Sequence, residues 1–213
     1  MKQEKKVLTE KVIKRLTLYH CILIQYIESG LEFISSPQIA FLLGIDNSQV
    51  RKDIKAVNNT GKCKVGYNVR ELKESIERTL GFKKNKDAFI IGAGNLGSAL
   101  SKYDDFSNYG LNILAMFDSD PLKVGITINK KQIFHISKLP DLTRRLNVKI
   151  AILTVPRQSA QNCADFIINA GIKYIWNFSP VVLKVPEWVH VWNENLTSNF
   201  LQFIVNDEVR NDD

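Results

Sequence analysis

The spacing of apolar residues divides the chain into two kinds of segment. From Leu8 to Ile27 they recur at helical spacing (Leu8, Val12, Leu16, Tyr19, Ile22, Leu23, Tyr26, Ile27), which predicts one long amphipathic helix stopped by Gly30. A short extended piece, LEFIS, follows. Ser36-Pro37 then supplies an N-cap and a proline at the first helical position, opening a helix over Gln38 to Leu43 that ends at Gly44. Asp46 and Gln49 pair as in a capping box at the start of another short helix, which runs to about Val57. Two short helices joined by a glycine-containing turn have the shape of a helix-turn-helix. In DNSQVRKDIKAV, Val50, Ile54 and Val57 share a core-facing stripe, leaving Ser48, Gln49, Arg51, Lys52 and Lys55 on exposed faces. NNTGKCKVGYNV alternates around glycines like a two-stranded wing carrying Lys62 and Lys64, and a helix over Arg70 to Leu80 closes a winged-helix domain.

Beyond the polar stretch KKNKD, Lys83 to Asp87, the period changes. Ala88 to Ile91 is a buried-strand run that passes directly into Gly92-Ala93-Gly94-Asn95-Leu96-Gly97 and a helix over Ser98 to Tyr103. LNILAMFD predicts a second strand ending at Asp118, twenty-one residues after Gly97. A strand, a GxGxxG turn, a helix and an acid about 20 residues on form the dinucleotide-binding pattern. Gly92 permits the turn, Gly94 lets backbone approach a pyrophosphate, and Gly97 lets helix pack close on strand. The helix N-terminus meets the phosphate charge. Asp118 can accept from the adenosine ribose hydroxyls and repels a 2′-phosphate, which points to NAD(H) as the cofactor. Val148 to Val155 is a further strand ending at Pro156, Ser159 to Ala170 a helix, and Tyr174 to Phe178 a strand before Ser179-Pro180. Thr154, Val155, Pro156, Asn177, Ser179 and Pro180 are therefore expected around one crevice at the carboxyl edge of a parallel sheet.

Charge sharpens the division. Residues 1–87 hold seventeen Lys+Arg against ten Asp+Glu, whereas residues 88–213 hold twelve of each, so the net +7 lies wholly in the first part. A basic module joined to a neutral one points to nucleic acid as partner of the basic part. No run approaches the ~20 apolar residues of a membrane span. The start, MKQEKKVLTEK, lacks the apolar core of a signal peptide, which favours a cytoplasmic protein without a membrane partner. Cys21, Cys63 and Cys163 have neither disulfide nor metal spacing, so no metal is expected. Catalytic residues are not found either: His135 reads as a strand edge remote from the crevice and His190 as part of a strand, WVHVW. A small NAD-dependent oxidoreductase nonetheless stays open as an alternative to a sensor, as does a cofactor-binding dimer that has lost DNA binding.

SSPQIAFLLGI, QVRKDI, GKCKVGYNV, IIGAGNLGSAL, AMFDSDPLKVG, IAILTVP, AGIKYIWNFSPVVLKVPEWV and NENLT occur in order between about Lys14 and Thr197. Together they resemble the bacterial Rex-type redox-sensing transcriptional repressors. The resemblance implies an α/β chain with an N-terminal winged-helix DNA-binding domain (residues 1–82) and a Rossmann-type doubly wound NAD(H)-binding domain (83–190). A C-terminal dimerisation helix swapped between two subunits (191–213) would follow. It also implies a homodimer that binds a palindromic operator with NAD and releases it with NADH, Tyr103 near the nicotinamide, and a terminal helix, Leu196 to Val209, packing Leu196, Phe200, Phe203 and Ile204 on the partner. The chain departs from the family at Lys55 to Lys64 (KAVNNTGKCK, where an aromatic, glycine-rich segment is usual), at Cys63 (an arginine at the wing tip), at Cys21 (an arginine in some members) and at Asn195 (an acid). These changes bear on operator sequence and strength of switching.

Overall fold

The computed structural model describes residues 8–62, 65–194, 197–198, 200–201 and 204–205. It divides into two compact units, Met1–Lys84 and Asn85–Asp213.

The first unit is helical with a small antiparallel ribbon. Helix α1 (Glu10–Glu28) is followed by β1 (Phe33–Ile34), α2 (Ser36–Leu43), α3 (Asn47–Ala56), β2 (Tyr67–Asn68) and α4 (Val69–Leu80). One core gathers Leu16, Tyr19 and Leu23 of α1, Ile39 of α2, Val50 and Ile54 of α3, and Leu72 and Ile76 of α4. The α3 stripe expected from periodicity is therefore the buried one. Helix α2 is capped one residue earlier than expected. The Ser35 hydroxyl accepts from the Gln38 N–H, and Gln38 Oε1 accepts from the Ser35 N–H at 2.8 Å. A capping box needs its glutamine at the third helical position, which selects Ser35 over Ser36. Asp46 does cap α3, accepting from the N–H groups of Ser48 (2.7 Å) and Gln49 (3.3 Å). The Gln49 side chain does not return to Asp46; it donates to Asp53 instead, at 2.8 Å.

The wing is short. Phe33 pairs with Asn68 and Ile34 with Tyr67. Beyond them Lys62 and Gly66 exchange backbone bonds of 2.7 and 2.9 Å. Gly66 has φ +103°, and a Cβ there would lie 2.5 Å from the Ile34 carbonyl oxygen, so only glycine lets the ribbon close. Cys63 and Lys64 lie outside the described residues.

The second unit is a seven-stranded sheet in the order β5-β6-β4-β3-β7-β8-β9. Its elements are β3 (Lys86–Ile91), α5 (Asn95–Ser101), β4 (Leu111–Asp118), β5 (Thr127–Ile128), β6 (Lys131–His135), α6 (Leu139–Leu146), β7 (Ile150–Leu153), α7 (Arg157–Asn169), β8 (Tyr174–Asn177) and β9 (His190–Asn193). All neighbouring pairs are parallel except β5 with β6. Because β3 and β4 alternate their side chains between two buried faces, Phe89, Ile91 and Phe117 pack with Leu139 of α6 and Ala160, Ala164 and Ile167 of α7. Ile90 and Met116 face the other way, with Leu100, Phe106, Trp176 and Phe178 half-buried around them. The chain leaves β3 towards β4 on one side and returns to β7 on the other, so the strand order reverses between β3 and β7. That reversal opens a crevice at the carboxyl ends of these strands.

His135 differs from expectation. It ends β6 in register with Asp118 of β4, at the carboxyl edge rather than away from it. Its ring is used locally, with Nδ1 2.8 Å from Ser137 Oγ. His190 opens β9 and stacks on Tyr174 at 5.3 Å. In the terminal segment Phe200 is exposed and Ile204 half-buried; Asn195, Leu196 and Phe203 lie outside the described residues.

Candidate cofactor crevice and nucleic-acid face

The glycine turn sits at the reversal point. Gly92 has φ +101°, and a side chain there would meet Val155 Cγ1 at 2.9 Å and the Thr154 carbonyl oxygen at 3.0 Å. Gly97 is packed on the turn itself: a Cβ would fall 2.0 Å from the Gly92 oxygen and 2.8 Å from Thr154 Oγ1. The Thr154 hydroxyl donates to the Gly92 oxygen (2.8 Å) and lies 3.1 Å from that of Ile91, tying β7 to the turn. Around Gly94, by contrast, a Cβ would meet nothing within 4 Å. It is exposed at the N-cap of α5, next to exposed Asn95 and half-buried Leu96. Two glycines close the turn and the third leaves room above it, the division of roles that a bound pyrophosphate requires.

Asp118 lies beside this turn and is more committed than its position in the sequence suggests. Its Oδ2 accepts from the Ala93 N–H (2.8 Å) and from Lys123 Nζ (3.1 Å), and its Oδ1 from the Asp120 N–H (2.9 Å). Burial pushes its pKa up, but the bonds from Asp120, Ala93 and Lys123 outweigh that and hold the carboxyl below its ordinary value. It is a carboxylate at neutral pH, and Oδ1 keeps acceptor capacity for a hydroxyl. Lys123 escaped the sequence reading; its position five residues past Asp118, in DSDPLK, is the only local signal.

The far wall separates into support and surface. Asn177 is buried, with Nδ2 donating to the Val181 oxygen and to Asn193 Oδ1 (2.9 Å each) and Oδ1 accepting from the Ser179 N–H at 3.0 Å. Ser179 is also buried and donates to the Val155 oxygen at 2.7 Å. These two side chains shape the rim, while Pro156 and Pro180 are exposed on it and Thr154 and Val155 half-buried. Tyr103, half exposed, follows α5 and stands edge-on to Phe106 at 4.8 Å; Phe106 meets Trp176 at 5.7 Å.

In the first unit, Ser48, Arg51, Lys52 and Lys55 are exposed on α3, and Lys62 at the wing. The four cations form no salt bridge among the described residues, which leaves their charge available to phosphate. Behind α3 lies a cluster that periodicity did not reveal. Asp53, on the core side and 2% exposed, accepts from Arg15 Nε (2.6 Å) and a second Arg15 nitrogen (2.9 Å), from the Tyr19 hydroxyl (2.8 Å) and from Gln49. The cluster bolts the candidate recognition helix to α1.

Residues 8–54 match a family described as a putative DNA-binding protein N-terminus, and residues 83–181 one described as a CoA binding domain. Whole-chain relatives are redox-sensing transcriptional repressors named Rex. That of Treponema denticola is 43% identical over 188 residues, 88% of this chain and 90% of its own. That of Clostridium botulinum is 38% identical over 198 residues, covering 93% and 94%. That of Clostridium perfringens is 35% identical over 202 residues, covering 95% of each. Among solved structures, RSP in complex with β-NAD+ and operator DNA superposes with a TM-score of 0.86 at 35% identity, covering 95% of this chain and 94% of that one. RSP in complex with β-NADH gives 0.83 at 35% identity, covering 95% and 96%. With relatives this similar along nearly its whole length, all of them regulators, the chain belongs to the Rex family of redox-sensing transcriptional repressors.

Proposed function

We propose that this repressor binds a palindromic operator as a homodimer when carrying NAD and releases it when NADH takes its place. One observation carries the reading most: a single chain holds both a glycine turn with open space over Gly94 and a helix presenting exposed Arg51, Lys52 and Lys55. RSP, a relative at 35% identity, has been solved both with NAD+ and operator DNA and with NADH. Residues 1–82 form the DNA-binding domain, 83–190 the cofactor domain and 191–213 the dimerisation segment. Gly92 to Gly97 hold the pyrophosphate, Asp118 the adenosine ribose, and Thr154 to Pro156, with Pro180, the walls. Asn177 and Ser179 keep those walls in place. Ser48, Gln49, Arg51, Lys52, Lys55, Lys62 and Lys64 meet the duplex. Acting on DNA, the protein works in the cytoplasm.

The two cofactor forms can move the DNA equilibrium only through their difference in affinity for the binding and released states. They differ at the nicotinamide, cationic in NAD and neutral in NADH, so a ring site with apolar walls favours NADH. Tyr103 supplies an exposed aromatic wall of that kind. The exposed apolar residues of the terminal segment supply the surface for a second subunit.

Anisotropy of a labelled palindromic duplex tests the whole reading. NADH is expected to weaken binding roughly tenfold or more relative to NAD, a coupling of ordinary allosteric size. Equal affinity with both would remove the sensing role. Arg51→Ala and Lys52→Ala are each expected to lower operator affinity by roughly tenfold. Losing a contact to phosphate also lowers the salt dependence by about one counterion, whereas losing a contact to a base does not. Wild-type affinity in both variants would remove α3 from the interface.

A further inference from the structure

Gln49 is not simply one more polar residue on α3, because a neighbour fixes which way its amide points. Asp53, one turn on, is ionised beside the Arg15 guanidinium and can only accept hydrogen bonds. The Gln49 atom 2.8 Å from it must therefore be the amide nitrogen. A primary amide has two N–H groups and one carbonyl oxygen. With one N–H taken by Asp53, Gln49 keeps one N–H and Oε1, a donor and an acceptor, at the half-exposed N-terminal turn of α3. The N-terminal residues of a recognition helix are those that reach base edges in the major groove.

A donor and an acceptor together match one base edge. Adenine presents N7 as acceptor and N6–H as donor. Guanine presents two acceptors, N7 and O6, against which Oε1 would be left unmatched. We propose that Gln49 reads one adenine in each half-site of the operator, with Asp53 as the residue that positions its amide. The cluster of Arg15, Tyr19 and Asp53 then contributes to specificity as well as to packing: Asp53 is held by α1 and in turn holds the reading group, so little side-chain freedom remains to be lost on binding. This inference rests on the assignment of α3 as the DNA-reading helix.

The test is selection from a pool of random-sequence duplexes by the full-length protein with NAD, run in parallel with Gln49→Ala and Gln49→Met. Circular dichroism confirms that each variant keeps its helices. The wild type is expected to select A·T at one symmetry-related position in each half-site by roughly tenfold or more over other pairs. Both variants should accept all four pairs there to within about threefold, while keeping selectivity elsewhere, since separate positions act roughly additively. Variants that keep the wild-type preference at every position would overturn the proposal, as would a preference lost at a G·C position, or folded variants that lose selectivity at all positions together. A wild type that selects no sequence fails earlier, at the assignment of α3 itself, so the two failures are distinguishable.

Discussion

Gly97→Ala is expected to abolish dinucleotide binding and to destabilise the second unit by about 3 kcal/mol or more, the upper range for overpacking. The added carbon would lie 2.0 Å from the Gly92 oxygen, and that oxygen is itself held by the Thr154 hydroxyl at 2.8 Å. Neither atom belongs to the far end of a flexible side chain, so α5 must lift off the turn. Gly94→Ala provides the contrast. Its backbone is extended (φ −80°, ψ −168°), a conformation open to any residue, and nothing lies within 4 Å of the new Cβ. Unfolding free energy should stay within about 0.5 kcal/mol of wild type, as at other unhindered surface positions. NADH affinity should nevertheless fall roughly tenfold or more, because the methyl group occupies the space into which a pyrophosphate backs. Urea unfolding and cofactor fluorescence, measured on both variants, separate the roles. A Gly97→Ala protein as stable as wild type would contradict the close packing, and a Gly94→Ala protein with full NADH affinity would move the phosphate site elsewhere.

The features legible in the sequence were those written in local periods. Apolar spacing located α1 and the buried stripe of α3, the run from Ala88 to Ile91 located β3, and the interval from Gly97 to Asp118 related the turn to the next strand. Features that depend on residues distant in sequence were not legible. Asp53 sits three residues after Val50 and one before Ile54, a core position that a carboxylate occupies only because Arg15 and Tyr19 come to meet it. They precede it by 38 and 34 residues, and no local pattern links them. Asn177 and Ser179 have the chemistry of ligand contacts and lie at the right strand end, yet their polar atoms are taken by Val181, Asn193 and Val155 once the loops fold. His135 reads as a strand edge from its neighbours; that β6 lies beside β4 and aligns it with Asp118 follows from the order of strands. The cap of α2 turned on a choice between adjacent serines, which the position of Gln38 decided.

Asp53 carries the other large expected effect. Asp53→Ala should destabilise the first unit by about 3 kcal/mol, because breaking a buried ion pair by removing one partner leaves the other uncompensated. The figure is the low end of that range, since the Arg15 side chain is 22% exposed and partly recovers water. The Tyr19 hydroxyl, fully buried, loses its acceptor as well. The pH dependence has a definite sign. Burial pushes the Asp53 pKa up, but bonds from Arg15, Tyr19 and Gln49 outweigh that and leave it below its ordinary value. The unfolded chain, with Asp near 3.9, therefore takes up a proton before the folded one does. The stability that the carboxylate contributes is complete above about pH 5 and is lost as pH falls through the depressed native value. Tyr19, pushed up by burial, stays a donor throughout the neutral range and adds no slope there. Urea unfolding of wild type and Asp53→Asn should differ most at pH 7 and converge toward pH 2. A gap that stays constant over that interval would mean that the carboxylate's charge contributes nothing and that Asp53 holds α3 to α1 by hydrogen bonding alone.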